Sequence, residues 1–212
     1  MAAPNDSVKV CNLSLSLLRH SEKMTSIETP ESDLEFLGSE WYDLIREALL
    51  RSHPWNFARK RKMIPLDSAD PVFGDLNKYV LPNDYLGYVF IGEDPETDYE
   101  TDFLIEGEHV LISYDDAASL PMCYIQNIDE VSKFDPIFTN LLVGELALVF
   151  GSSIVGYDKS LKKITDFRDR WEAKARAKNG QENPAIVRYK SLIISARNNI
   201  QGGTQTDGQH LL

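Results

Sequence analysis

Apolar residues near the N-terminus recur at the spacing that places side chains on one face of a helix. The first stripe, which Asn5 or Asp6 would cap, comprises Val8, Cys11, Leu15 and Leu18. A second stripe belongs to a helix predicted to start near Thr29-Pro30 or at Ser32, whose spacing to Glu35 is typical of a capping box, and to end at Pro54. It comprises Leu34, Leu37, Trp41, Leu44, Ile45, Ala48 and Leu49. The sequence therefore predicts an antiparallel helical pair over residues 1–58.

Between residues 59 and 130 the pattern changes to short apolar runs separated by Gly, Pro, Asn and Asp, which is typical of strands and turns. We predict six strands, at residues 63–66, 78–81, 85–91, 102–105, 110–113 and 122–125. The segment 103–113 turns at Gly107 and is predicted to form a hairpin. This part of the sequence therefore predicts a small antiparallel sheet inserted into a helical framework.

Helical spacing returns at Asp135, a good N-cap residue that precedes Pro136. Apolar residues at positions 138–149 cover more than half of this helix, which predicts a central, buried element. The next helix, at residues 158–178, carries a narrow apolar stripe among charged residues, and Gly180 is predicted to end it. Residues 131–180 are therefore predicted to complete the helical bundle.

The last segment, residues 181–212, is predicted to form a C-terminal arm that is extended or helical. Its end, from residue 201, is rich in Gly, Gln and Thr and is predicted to be disordered.

With 212 residues and 42% hydrophobic composition, the chain is long enough to bury a sizeable core. The predicted class is α+β: an antiparallel helical bundle with an inserted small antiparallel β-sheet and this arm.

The net charge of the chain weighs against sequence-specific binding of DNA. The chain carries 33 acidic and 22 basic residues, for a net charge of −11. Because such a chain repels phosphate backbones at long range, we do not expect sequence-specific recognition of DNA. A channel through which DNA slides is compatible with this charge, since such a channel must not hold DNA tightly.

The apolar pattern predicts neither a membrane segment nor a secretory signal. The longest apolar stretch, residues 141–150, is interrupted by Gly144 and Glu145 and is shorter than a membrane helix needs. The N-terminal residues lack a basic region followed by an apolar one. We therefore expect a soluble protein that is made in a cytoplasm and does not contact a membrane.

Residues that carry chemistry are scattered along the chain. Cys11 and Cys123 lie far apart among apolar residues, so we expect buried free thiols and neither a disulfide nor a metal site. The sequence has no nucleophile-elbow, phosphate-loop, dinucleotide-binding or zinc-protease motif. We therefore expect no enzyme, no cofactor and no metal. A glycosidase needs only two suitably spaced carboxylates, so cleavage of cell-wall glycan by a tail component stays as an alternative.

Residues 48–61, ALLRSHPWNFARKR, join the end of a helix to an aromatic turn and a basic run. This segment resembles the tail tubular protein A family of short-tailed bacteriophages. Further blocks resemble the family in the same order: YVLPNDYL at residues 79–86, IEGE at 105–108, YI at 124–125, DPIF at 135–138 and LVGELA at 142–147. The resemblance covers about residues 8–177 and leaves out the acidic insert 93–102 and the C-terminal arm.

The resemblance implies a structural virion protein, a head-to-tail adaptor whose subunits form a ring of twelve between the portal protein and the tail nozzle protein. Genomic DNA passes through such a ring without sequence recognition. The implied location is the head–tail junction of the virion, after assembly in the cytoplasm of the bacterial host. A ring with head-to-tail contacts needs two complementary surfaces on one subunit. A DNA-binding module with salt-sensitive affinity stays as a second alternative.

The charged helix 158–178 is one candidate surface for ring contacts, and individual candidate interface residues lie in two further segments. In the aromatic turn they are Trp55 and Phe57, with packing in the chain's own core or in a subunit seam as the alternative. In the arm they are Tyr189, Ile193, Ile194 and Arg197. A free arm with such an apolar set can become ordered against the portal or a neighbouring subunit. The alternative for the arm is a helix that packs on its own core.

Two charged runs complete the candidate sites. The basic run, which could face the DNA channel, comprises Arg59, Lys60, Arg61 and Lys62. Its alternative is a solvated strand start or a salt-bridged face. Acidic residues alternate over residues 94–102 and would share one face of a strand, but the Gly and Glu of an EF-hand calcium loop are missing. We therefore interpret this second run as a solvated loop or a charged edge strand.

Overall fold

The computed structural model describes residues 6–74, 77–93, 103–113, 118–154 and 159–182. Its helices are α1 (Asp6–Leu17), α2 (Asp33–Ser52), α3 (Pro136–Ile154) and α4 (Lys159–Glu182). Its strands are β1 (Arg59–Pro65), β2 (Asn77–Val80), β3 (Tyr85–Ile91), β4 (Phe103–Glu106), β5 (His109–Ile112) and β6 (Ser119–Gln126). Helices and antiparallel strands occupy separate stretches of the chain, which confirms the predicted α+β class.

The start of α2 departs from the predicted capping box. The Ser32 hydroxyl accepts a hydrogen bond from the backbone N–H of Glu35, as expected for the N-cap residue. The Glu35 carboxylate, however, does not return to the N-cap. It accepts from the backbone N–H of Glu31 and from the backbone and hydroxyl groups of Thr25. Glu35 thus fastens the linker that precedes α2, and this explains why a carboxylate is buried in the first turn.

The buried face of α2 is displaced from the predicted stripe. Leu44 and Ala48 are exposed, whereas Tyr42, Arg46 and Leu50 are buried. A buried arginine is placed there because its guanidinium donates hydrogen bonds to the side chain of Asn127 and the carbonyl of Ile128, on the chain just after β6. These long-range partners rotate the helix relative to the orientation that its apolar residues alone predict.

The central helix α3 begins where the sequence predicts. The Asp135 carboxylate accepts a hydrogen bond from the backbone N–H of Ile137 at 2.6 Å. By length and composition α3 could cross a membrane, with 19 residues and a mean hydropathy of 1.7. Its apolar run is interrupted by Gly144 and Glu145. The core helix of a globular protein passes the same test, and half of the apolar window in α3 is buried within the chain.

Helix α4 packs along one face of α3. A side chain added at Gly144 would lie 3.2 Å from the Cα atom of Arg168, so the two helix backbones approach closely at this point. The predicted stop at Gly180 is wrong, because α4 continues to Glu182. Gly180 has no atom within 4 Å of the position that a side chain would take, and a solvated glycine costs a helix too little stability to end it.

The strands form two three-stranded antiparallel sheets where the sequence predicted one. The first has the order β1-β6-β3 and the second the order β2-β5-β4. Tyr124 of β6 packs with Val110 and Ile112 of the second sheet, while Ile125, on the opposite face of β6, packs with the helical core. The first sheet is therefore a middle layer between the helices and the second sheet. The predicted hairpin through Gly107, which has a φ of 56°, is confirmed as β4–β5.

Several predictions fall outside the described residues. These are the acidic run 94–102 and the C-terminal arm from residue 183, with Tyr189, Ile193, Ile194 and Arg197.

Cys11 and Cys123 do lie within the described part, and both are buried free thiols as predicted. Burial raises the pKa of Cys11 to about 12 and also raises the pKa of Cys123, so both thiols stay protonated at neutral pH.

Candidate interaction surfaces

The aromatic turn after α2 is part of the chain's own core. Trp55 is only 2% exposed, and its indole N–H donates a 2.8 Å hydrogen bond to the carbonyl of Leu49 in the last turn of α2. Its ring meets the ring of Phe138 edge-on at 5.3 Å, so it also packs on α3. Phe57 is half-buried and packs against the same phenylalanine. Trp55 is therefore not on a surface that a partner could contact, and only the outer side of Phe57 remains a candidate.

A pair of asparagines fastens this turn to the end of α4. The backbone N–H of Asn56 donates to Oδ1 of Asn179 at 2.7 Å, and Nδ2 of Asn56 donates to the Asn179 carbonyl at 3.0 Å. Because Oδ1 of Asn179 accepts, its Nδ2 must be the donor in the 2.9 Å hydrogen bond to Nε2 of His53. We call residues His53, Trp55, Asn56 and Asn179 the joint.

The electrostatics of the joint agree with a hydrogen bond in which Nδ2 of Asn179 donates to Nε2 of His53. Burial lowers the pKa of His53, and the nearby positive charges of Arg176 and Arg59 lower it further. The imidazole is therefore neutral at pH 7, and its Nε2 can accept a hydrogen bond. Asn179, which sequence reasoning missed, lies 123 positions from Asn56, so no local pattern could have indicated the contact.

The four basic candidates for a DNA channel all lie on β1, but the strand divides them between its two faces. Lys60 is paired in register with Tyr124, and Arg61 with Cys123. Lys60 forms a 2.7 Å ion pair with Asp84, and the guanidinium of Arg61 lies 5.3 Å from the ring centroid of Phe90. Arg59 is half-buried and Lys62 is exposed. The structure therefore does not bring the four together as one basic surface.

A pocket of about 560 Å³, which we call the acidic pocket, opens beside α2. It is lined by four carboxylates, two serines, an isoleucine and a tyrosine: Glu28, Asp43, Asp129, Glu130, Ser7, Ser39, Ile27 and Tyr42. Tyr42 is 3% exposed, and its hydroxyl has no hydrogen-bond partner among the described residues. Burial raises the pKa of Tyr42, to which the charges of Asp43 and Asp129 contribute, so the hydroxyl stays protonated. The four carboxylates make the pocket electrostatically suited to a positively charged group.

The exposed side of α4 has the opposite charge. The helix carries eight Lys and Arg residues against four Asp and Glu residues, a net charge of +4. Exposed Lys163, Arg170 and Lys174 lie at i, i+7 and i+11, which places them within about 40° of one another around the helix. We call these three residues the basic stripe. The described residues thus include an acidic surface and a basic surface on different elements.

A third exposed surface is apolar. Val72 is 97% exposed and Phe73 is 88% exposed, in the loop that leads to β2. The start of this loop is held by Asp67, whose carboxylate lies 2.9 Å from Nζ of Lys78 and 3.0 Å from Nε2 of His109. The loop is therefore anchored at its base while its two apolar side chains extend into solvent.

The described residues contain no group of three or more His, Cys, Asp or Glu side chains arranged to hold a metal ion. Comparisons of the sequence with models of known protein families and with curated proteins find no match.

Proposed function

We propose that this chain is a structural subunit of a head-to-tail adaptor ring of a short-tailed bacteriophage, similar to the tail tubular protein A family. In this proposal the ring of twelve copies binds the portal protein on one side and the nozzle protein on the other. The subunit supplies shape and contact surfaces and performs no chemistry. DNA passes through the ring without sequence recognition.

The observation that carries the proposal is where the family-like blocks lie in the fold. Asn56 of the first block fastens α2 and β1 to Asn179 of α4. Asp84 of the second block accepts from the hydroxyl of Tyr124 at 2.8 Å and from Lys60, which ties β3 to β6 and β1. Asp135 caps α3. In two of the family-like blocks Asn56 and Asp84 thus join separate elements, and in a third Asp135 caps a helix, which supports a subunit with a rigid frame.

The charge distribution also supports a ring. Head-to-tail closure requires two different, complementary surfaces on each subunit, and this chain carries two surfaces of opposite charge on different elements, the acidic pocket and the basic stripe. Twelve copies would carry a formal charge of 12 × −11, or −132, so much of the assembled surface would repel DNA. Repulsion of this kind would favour sliding of DNA over binding.

Native mass spectrometry of the chain, alone and mixed with a portal preparation, tests the proposal. We expect species at multiples of 24.0 kDa, with the twelve-subunit species bound to the portal. A monomer in both samples would contradict it. Two parallel assays address the alternatives: turnover of cell-wall glycan would favour a hydrolase, and salt-sensitive affinity for duplex DNA would favour a DNA-binding module.

We further propose that the C-terminal arm, from residue 184, binds the portal or a neighbouring subunit through its apolar residues. Replacing Ile193 and Ile194 by Asp should weaken portal binding, because charged side chains oppose burial at an apolar contact. A pull-down with the portal preparation measures this effect. Binding equal to that of the wild type would refute this role for the arm.

A further inference from the structure

We propose that a groove on the outer face of the second sheet binds the C-terminal arm, residues 183–212, of a neighbouring copy. The inference rests on the proposed function and names the surface on which the arm is held within the ring. Its ligand class is an apolar segment that also carries Lys and Arg side chains. Its occupant is the arm itself, which lies outside the described residues.

The floor of the groove is the face of the second sheet that is turned away from the first sheet. Side chains alternate between the two faces of a strand, and Val110 and Ile112 of β5 are buried in the core between the sheets. Leu111 therefore lies on the outer face, where it is paired in register with Leu104 of β4. Leu104 is 51% exposed. The outer face thus carries two adjacent leucines that the described residues do not fully cover.

The loop that leads to β2 forms a wall of the groove. Val72 and Phe73 of this loop line it together with Leu104 and Leu111, and its volume is about 310 Å³. A single exposed apolar residue is ordinary at a protein surface. Four apolar residues that line one groove, two of them almost fully exposed, form a patch of the kind that marks a binding surface.

The charged residues of the groove leave it with acidic side chains that have no partner. Lys78 and His109 line it as well, but both contact the carboxylate of Asp67, at 2.9 Å and 3.0 Å. Asp70 and Glu106 are exposed and form no ion pair within the described part of the chain. A ligand that complements the groove therefore presents apolar side chains together with a cation.

The arm has this composition. Residues 183–206 contain no acidic residue and three basic ones: Arg188, Lys190 and Arg197. Apolar residues surround the first two of these: Ile186, Val187, Tyr189, Leu192, Ile193 and Ile194. Asp207 brings the net charge of the arm to +2, and since the whole chain carries −11, residues 1–182 carry −13. The arm of one copy is therefore attracted to the acidic body of another.

The arm is also long enough to reach another copy. Helix α4 ends at Glu182, and residues 183–212 follow it. A segment of this length spans up to about 100 Å when extended, whereas the 24 residues of α4 extend only about 36 Å. An arm that leaves one subunit and fills a groove on the next supplies the two different surfaces that head-to-tail closure needs.

Isotope-mixed cross-linking of the full chain tests this contact directly. Equal amounts of ¹⁴N-labelled and ¹⁵N-labelled chain are mixed, added to a portal preparation and treated with a carbodiimide, which joins a carboxylate to a lysine amine without a spacer. Mass spectrometry then identifies linked peptides that contain both isotopes and so come from two copies. We expect mixed-isotope links from Asp70 or Glu106 to Lys190.

Three results would overturn the inference. Links of Asp70 or Glu106 to Lys190 that contain a single isotope only would place the arm on its own copy. Links of Lys190 to the portal alone would place the arm there. The absence of any link to Lys190 would show that the groove does not hold the arm.

A matched pair of variants shows whether the apolar wall is responsible. Phe73→Ala removes the largest apolar side chain of the groove and should reduce the yield of mixed-isotope links by about fivefold or more. Phe36→Ala removes a phenylalanine that is 52% exposed on α2, outside the groove, and should leave the yield near that of the wild type. Equal yields in the two variants would also overturn the inference. Circular dichroism of both variants controls for folding.

The two proposals fail separately. If portal-bound multiples of 24.0 kDa form while the links to Lys190 are absent, the ring stands and this contact is wrong. If the links form but the only assembly is a dimer or an open chain, this contact stands and the adaptor ring is wrong. A monomer under all conditions, with no links, refutes both.

Discussion

The joint and the acidic pocket are both polar, but their polar groups are used in opposite ways. In the joint, the amide of Asn56 and the ring of His53 each have a partner on Asn179. In the pocket, the Tyr42 hydroxyl has no partner, and Asp129 is exposed without an ion pair in the described part of the chain. The comparison indicates that the polar groups of the joint stabilise the fold, whereas the pocket keeps an exposed carboxylate at the surface.

The same comparison separates what a motif identifies from what a surface does. The segment ALLRSHPWNFARKR carries the clearest resemblance, yet Trp55 in its centre is almost fully buried. The acidic pocket belongs to no motif and is assembled from four separated stretches of chain. We therefore expect substitutions in the joint to change stability and substitutions at the pocket to change assembly.

The largest expected effect is at the centre of the joint. Trp55→Ala removes the ring contact with Phe138 and the hydrogen bond to Leu49, and should destabilise the fold by about 3–5 kcal/mol. Urea denaturation followed by circular dichroism measures the loss. Phe73→Ala, at an aromatic residue that is exposed, should change stability by about 0.5 kcal/mol or less. A loss of less than about 1 kcal/mol for Trp55→Ala would break the comparison.

The asparagine pair should come next. Asn179→Ala leaves the backbone N–H of Asn56 and the Nε2 atom of His53 without their partners, at a cost of about 2–3 kcal/mol. Asn140→Ala serves as the control, because Asn140 donates to a carbonyl at an exposed position. The same urea titration compares the two variants. Equal stability in both would show that α4 is not fastened through Asn179.

A pair of glycines sharpens the account of how α4 is held. Gly144→Ala places a methyl group 3.2 Å from the Arg168 backbone and should destabilise the fold by about 1–2 kcal/mol. Gly180→Ala meets nothing within 4 Å and should stabilise α4 by up to about 1 kcal/mol. Thermal unfolding compares the two. Changes of the same sign would contradict the close approach of α3 and α4.

A smaller, pH-dependent effect is expected at Glu35, which fastens the linker that supplies one wall of the pocket. Hydrogen bonds from the Thr25 hydroxyl and from the backbone of Glu31 and Thr25 lower the pKa of Glu35 from 4.5 to about 2. Its folded-state pKa is depressed, so the stability it contributes is fully present above pH 4.5 and is lost as the pH falls towards 2.

Unfolding free energies of the wild type and of Glu35→Gln, measured between pH 6 and pH 2.5, test this. The wild type should be more stable above pH 4.5, and the difference should shrink progressively below that pH. A difference that stays constant through this range would show that the ionised carboxylate of Glu35 is not what holds the linker.

Local pattern was sufficient to predict the elements but not their arrangement. Six strands and the Asp135 cap follow from alternation and from N-cap preference. Alternation does not indicate which strands pair, so the two sheets were not predicted. The orientation of α2 depends on Arg46, whose partners Asn127 and Ile128 lie 81 and 82 positions away. Burial of a charged side chain with such distant partners leaves no trace in hydrophobic periodicity.

The candidate sites show the same limit. Trp55 and Phe57 were candidates because aromatic residues in a turn are typical of both cores and interfaces, and only the packing on Phe138 distinguishes the two. The four residues from Arg59 to Lys62 are adjacent in sequence, but alternation along β1 separates them in space. The acidic pocket could not be predicted, because its lining residues meet only in the folded chain.

One variant tests the division between frame and contact surface most directly. Asp129→Lys reverses charge at an exposed position of the acidic pocket, and is compared with the wild type both by urea denaturation and by native mass spectrometry with a portal preparation. We predict unfolding free energies that agree within about 0.5 kcal/mol, together with loss of the multiples of 24.0 kDa that the proposed ring predicts for the wild type. Assembly equal to that of the wild type, or loss of the fold along with assembly, would contradict the account.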